Sequence, residues 1–228
     1  MIRLTRVSHV YGDGPARRQV LRDLDLELSE QRIGVIGANG SGKSTFARLL
    51  NGLVLPTRGT VTVDGLDTRR EGAAVRRRVG FCFSDPDAQI VMPTVREDVA
   101  LGLRRHRLSR AEVAERVDAA LEAVGLSGHA DHPAHLLSSG QKQLLALTSV
   151  LVTEPDVLVL DEPTTLLDLR NARDAVRRLA ALRQQVVLVT HDLAALDGFD
   201  RVLTIDEGRV VFDGDPTGAV ATYLAAMT

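Results

Sequence analysis

Gly37-Ala38-Asn39-Gly40-Ser41-Gly42-Lys43-Ser44-Thr45 is the stretch that decides the fold. It has the form G-x-x-x-x-G-K-[ST], a loop whose glycines let successive backbone N–H groups converge on an anion. The apolar run Ile33-Gly34-Val35-Ile36 precedes it, and a segment of helical composition, Ser44 to Asn51, follows. Strand, glycine-rich turn and helix in that order aim the positive end of the helix at a phosphate. The spacing predicts that Lys43 reaches the β- and γ-phosphates of a nucleoside triphosphate. The Ser44 hydroxyl would ligate Mg²⁺, with Asn39, Gly40, Ser41, Gly42 and Thr45 completing the cradle.

Further along, Val157-Leu158-Val159-Leu160-Asp161-Glu162 reads as a buried strand ending in two acids. At the carboxyl edge of a sheet beside the phosphate loop, Asp161 is expected to hold Mg²⁺ or its water. Glu162 is then placed to polarise an attacking water, the positioning that phosphoryl transfer requires.

Around these two anchors the chain changes character. The first sixty-odd residues are β-rich, with period-two alternation from Leu24 to Leu28 and a turn pair at Asp64-Gly65. Two capping-box sequences, Thr94-Val95-Arg96-Glu97 and Ser109-Arg110-Ala111-Glu112, open helices in the middle. After the second, Val113, Val117, Ala120, Leu121 and Val124 form one apolar stripe that Gly125 ends. The last third alternates: strand Val157 to Leu160, helix from about Leu169 to Arg183, strand Val186 to Val189. A hairpin turning at Glu207-Gly208 and a short helix after Pro216 close it. The expected architecture is α/β in one domain of residues 1–228. A phosphate-loop core with an antiparallel β subdomain spans about 1–84 and 154–228, and an inserted α-helical subdomain about 85–153.

Leu137-Ser138-Ser139-Gly140-Gln141 precedes the acid pair by about twenty residues, and here the sequence resembles the ATP-binding cassette (ABC) ATPases, whose signature reads LSGGQ. The resemblance runs over essentially the whole chain. It implies that Ser138, Ser139, Gly140 and Gln141 are offered to ATP bound on a second ATPase subunit, a copy or a paralogue. It further implies that Tyr11 stacks on adenine, that His191 contacts the γ-phosphate and that Asp168 lies at the dimer seam. Two positions depart from the family. Ser139 replaces a glycine, and serine visits positive φ less cheaply. Ser84 stands where the family usually carries a glutamine; its hydroxyl is too short to bridge metal and water, and Gln89, five residues on, is the candidate to compensate, with a role in partner contact as the equal alternative.

Asp85-Pro86-Asp87-Ala88-Gln89 with Thr94-Val95-Arg96-Glu97-Asp98-Val99-Ala100 is similar to the ATPases of energy-coupling-factor importers, and the region from Thr164 to Asn171 to those serving biotin, with cobalt or nickel as the alternative cargo. That resemblance implies integral membrane partners and a site on the cytoplasmic face of the membrane. The remaining composition agrees. With 228 residues and a formal charge of −2, the chain has no basic excess for a dedicated nucleic-acid binder. One cysteine, Cys82, excludes an internal disulfide or a cysteine zinc cluster. No apolar run reaches membrane-spanning length, and the amino terminus has no apolar signal core. Of 28 basic residues only Lys43 and Lys142 are lysine, both inside these motifs. His129, His132 and His135 read as a solvated loop because Pro133 breaks the helix that would align them. The arginine runs Arg76-Arg77-Arg78 and Arg104-Arg105-His106-Arg107 read as solvated faces, with lipid proximity as their functional alternative.

Overall fold

The computed structural model describes residues 1–164, 167 and 169–226, with the side chains of 169–171, 173, 174 and 180 left aside. Asp168 lies outside the described residues. The chain opens on a long hairpin, β1 (Ile2–Tyr11) and β2 (Arg18–Leu28), followed by β3 (Arg32–Ile36) and helix α1 (Lys43–Leu50). Strands β4 (Arg58–Val63) and β5 (Leu66–Asp67), helix α2 (Gly72–Arg78) and strand β6 (Val79–Cys82) come next. Three helices then run in succession: α3 (Val95–Leu103), α4 (Arg110–Ala123) and α5 (Ser139–Leu151). Strand β7 (Val157–Asp161), helix α6 (Leu169–Ala180) and strand β8 (Gln185–Val189) return to the core. The hairpin β9 (Arg201–Asp206) and β10 (Arg209–Gly214) and helix α7 (Pro216–Ala225) complete it.

Two sheets result. The first, in order β2-β1-β4-β5, is antiparallel; the second, β10-β9-β3-β8-β7-β6, is parallel except for the β9–β10 hairpin at its edge. Strands covered on both faces read as unbroken apolar runs, and their side chains divide by parity. Val157, Val159, Val187 and Val189 point to a core shared with Phe46 and Leu49 of α1 and with the antiparallel sheet. Leu158, Leu160, Val186 and Leu188 point the other way, to Ala146 of α5, Leu179 of α6 and Ala219 of α7. A third cluster joins Val95, Val99, Leu103, Val117, Leu121 and Leu126 to Leu145 of α5. Helix α5 therefore serves two cores, one residue apart, and ties the helical segment to the sheet.

Both capping boxes form as the sequence predicts. The alternation that starts only at Leu24 has its cause in Asp23, held at φ +49° in a register irregularity between the Val7–Leu24 and His9–Leu21 pairs. The α6 helix ends at Ala180, short of the expected Arg183. There Ala181 and Leu182 switch to bonds three residues back, on Arg178 and Leu179.

Candidate functional site

The site is built where β3, β7 and β8 end, the carboxyl edge at which parallel sheets present loops. Gly37 leaves β3 at φ +150°, and a Cβ there would stand 2.0 Å from the Ile205 carbonyl oxygen, so the loop can turn only through glycine. Gly42, at φ +110°, delivers the chain into α1 with a would-be Cβ 2.9 Å from the Val20 carbonyl. Helix α1 then begins at Lys43 with neither a side-chain cap nor an acidic residue in its first turn. Its first N–H groups and its dipole are left to an anion.

Lys43 folds back into the loop, donating from Nζ to the carbonyls of Gly37 (2.8 Å) and Ala38 (2.9 Å). Burial lowers its pKa, while the charges of Glu162 and Asp161 pull it back up. Ser44 Oγ donates to Asp161 Oδ1 at 2.9 Å. Asp161 is only 2 % exposed, and burial raises its pKa against the opposing hydrogen bond from Ser44 and the Arg48 guanidinium 3.8 Å away. Next to it, Glu162 is held at φ +52°, a conformation costing a non-glycine residue about 1–2 kcal/mol. Its N–H donates to the Val189 carbonyl at 2.9 Å, which fixes the turn. Because Asp161 pairs with Val189 across β7 and β8, the residues just beyond each strand are neighbours. His191 Nδ1 accordingly lies 3.0 Å from Glu162 Oε2.

A cleft of about 380 Å³ opens over this floor, within the range of small-ligand sites. Asn39, Gly40, Lys43, Ser44, Thr45 and Glu162 form one side, Tyr11, Arg18 and Val20 the other. Tyr11 is 40 % exposed, its hydroxyl 3.4 Å from Thr45 Oγ1 and its ring edge-on to His9. Ser41 is buried, and its Oγ has no partner among the described residues. Arg18 and Val20 were not legible in the sequence. Tyr11 and Arg18 pair directly across the β1–β2 hairpin, which brings both to the cleft. Arg18 Nη2 hangs 3.8 Å from where a Gly40 Cβ would stand.

The signature residues are elsewhere. Ser138 caps α5, accepting from the Gln141 N–H at 3.3 Å, while Gln141 Oε1 accepts from the Ser138 N–H at 2.9 Å. Ser139 is the first helical residue and has no positive φ, so the glycine it replaces is not demanded by the backbone here. Gly140 lines a different, smaller cavity with Cys82 and Gln143. Among the described residues none of Ser138 to Gln141 lines the cleft over the phosphate loop.

Gln89 is placed outside the lining of the cleft. Its Oε1 accepts from the Phe83 N–H at 3.0 Å and its Nε2 donates to the Ala146 carbonyl at 2.8 Å. Both ends of the amide are committed to backbone, and neither Gln89 nor Ser84 lines the cleft. The residue is a strut between the end of β6 and α5. Lys142 adds a second tie, Nζ to Asp87 Oδ1 at 2.7 Å, and buried Asp98 a third, accepting from the N–H groups of Val91 and Met92 and from Ser149 Oγ. His129 stacks edge-on against His132 and lies 3.2 Å from Gln141 Nε2, beside the signature.

These residues fit a magnesium nucleotide. Ser44 and Asp161 supply hard oxygen donors of the kind Mg²⁺ takes. Gly37 and Gly42, packed against the Ile205 and Val20 carbonyls, give the loop the close-wrapped shape of a cradle.

Known proteins bear on the same residues. The family description "ABC transporter" matches residues 21–165. A Deinococcus radiodurans protein, named no more specifically than an ABC transporter ATP-binding protein, is 53 % identical over 228 residues, 100 % of this chain and 99 % of its own. The biotin transport ATP-binding protein BioM of Rhodobacter capsulatus is 46 % identical, with 91 % and 89 % covered. An energy-coupling factor transporter ATP-binding protein, EcfA1 of Symbiobacterium thermophilum, is 46 % identical, with 92 % and 77 % covered. The dimeric structure of a bacterial ABC transporter cassette superposes with a TM-score of 0.86 at 29 % identity, over 95 % of this chain and 99 % of that one. The chain belongs to the ABC transporter ATPases and is an ATP-hydrolysing subunit of their energy-coupling-factor branch.

Proposed function

We propose that this subunit drives the uptake of biotin through separate integral membrane proteins, from the cytoplasmic face, by closing on ATP together with a second ATPase subunit. In this reading the loop amides and Lys43 bind the β- and γ-phosphates, and Lys43 exchanges the Gly37 and Ala38 carbonyls for phosphate oxygens. Ser44 and Asp161 would hold Mg²⁺, which would supply positive charge beside the phosphates. Tyr11 stacks on the adenine. Glu162 takes a proton from the attacking water, and His191 donates to its carboxylate and holds it in place. Ser138, Ser139, Gly140 and Gln141 of the facing subunit close over the nucleotide, with Asp168 at the seam. Affinity of the closed pair for ATP then becomes motion at the transporter interface.

One observation carries the two-subunit reading: among the described residues, none of Ser138 to Gln141 lines the cleft over the phosphate loop. Support for biotin rests on 46 % and 48 % identity to two biotin transport ATP-binding proteins. The test is reconstitution with the membrane subunits in vesicles, measuring labelled biotin uptake and phosphate release together. ATP-dependent biotin accumulation is expected, and Glu162→Gln should slow both about 10²- to 10⁴-fold while preserving ATP binding. Cobalt or nickel uptake without biotin uptake would overturn the cargo. Undiminished turnover in the Glu162 variant would overturn the assignment of the base.

A further inference from the structure

Two arginine runs that lie apart in the sequence meet in the fold. Arg76 and Arg77, from the last turn of α2, and Arg104, Arg105 and His106, just beyond α3, line one groove of about 630 Å³. Its floor is Leu101, Gly102 and Thr153. Gly102 sets that floor, since a Cβ would stand 2.8 Å from the Ser149 carbonyl and would push α3 off α5.

Several arginines elsewhere on the surface meet acids: Arg3 with Glu27, Arg78 with Asp64, Arg96 with Asp118, Arg201 with Glu30 and Asp213. No acidic residue lines this groove, and none of its four guanidiniums meets a carboxylate among the described residues. Four like charges in one concavity repel each other, and an anion of high charge density relieves that repulsion. Arginine in place of lysine is not informative in a chain where 26 of 28 basic residues are arginine. The convergence is. A phosphate group offers up to two charges and three acceptor oxygens in one small volume, and guanidinium forks match it in bidentate fashion. One carboxylate would leave most of these donors unanswered.

We infer that the groove between α2 and the end of α3 is a binding site for a phosphate-bearing anion, separate from the nucleotide cleft. None of its lining residues is shared with the phosphate loop cleft. The proposal stands whether or not biotin is the cargo.

The test uses the full chain with its nucleotide cleft saturated by a magnesium complex of a non-hydrolysable ATP analogue. One arm titrates inorganic pyrophosphate by calorimetry; the other measures co-flotation with phosphatidylglycerol vesicles against phosphatidylcholine vesicles. Binding in at least one arm is expected, weakened by salt and reduced about tenfold or more by Arg76→Ser with Arg105→Ser. Pyrophosphate binding alone identifies a soluble phosphate compound, and vesicle binding alone a lipid headgroup. A variant with the same melting temperature and analogue affinity as the parent excludes a folding defect. The double substitution Arg3→Ser with Arg22→Ser, which removes equal charge elsewhere, should leave binding intact. Binding in neither arm, equal loss in both double variants, or tighter binding of polyglutamate than of either phosphate probe would overturn the assignment.

Discussion

Replacing Gln89 by alanine separates a strut from a catalytic residue. The substitution removes two neutral hydrogen bonds, from the Phe83 N–H (3.0 Å) and to the Ala146 carbonyl (2.8 Å). Each contributes about 1 kcal/mol net, and a partner left dry costs more. Gln89 is half-buried, so water reaches part of the vacated space and the total stays near 1–3 kcal/mol. For a chain of 228 residues this lowers the melting temperature by roughly 2–12 °C. The assay is thermal unfolding of the nucleotide-free chain, paired with basal ATP hydrolysis well below the transition. Gln89→Met, which keeps the bulk without the bonds, should lose nearly as much stability. Hydrolysis should change less than twofold in either variant. An unchanged melting temperature with a tenfold or larger loss of hydrolysis would refute the reasoning and return Gln89 to the chemistry.

Three further outcomes follow from the site. Burial raises the pKa of Asp161, so the folded chain binds this proton more readily than the unfolded one. The group therefore favours folding as pH falls through its folded value and opposes it at neutral pH, where the ionised form is desolvated. Asp161→Asn should raise the melting temperature of the nucleotide-free chain at pH 7 while weakening magnesium-nucleotide binding at least about tenfold; a lower melting temperature would contradict the electrostatic argument. Arg18→Ala should raise KM for ATP about three- to tenfold with kcat unchanged, because it removes a charge from the cleft wall without touching Glu162; an equal fall in kcat would place it in the chemistry. Cys82, fully buried with its thiol pushed up to about 12, should resist alkylation at pH 8 until the chain unfolds; rapid labelling of the native protein would contradict its burial.

Much of this was readable along the chain because it is local. The phosphate loop, the acid pair at the end of an apolar strand and the two capping boxes each depend on residues within a few positions of one another. Short-range geometry then dictates what those residues do. Glu207 and Gly208 turn the β9–β10 hairpin at φ +44° and +78°, as their residue types require. Spacing left Gln89 open, five residues from Ser84, between a shared role and a partner contact. The path of the loop instead turns the amide toward α5, a partner 57 positions away.

The sequence by itself determined the cradle, the strand that carries Asp161 and Glu162, and the lysine set between them, because each is a run of adjacent residues whose chemistry survives without context. Only the tertiary structure decided that Tyr11 and Arg18 wall the same cleft, that His191 meets Glu162, that the signature lies apart from its own phosphate loop, and that two arginine runs share one groove. Those relations depend on strand register and helix packing, which arise from burying three separate apolar clusters at once. No stretch of chain contains that information on its own.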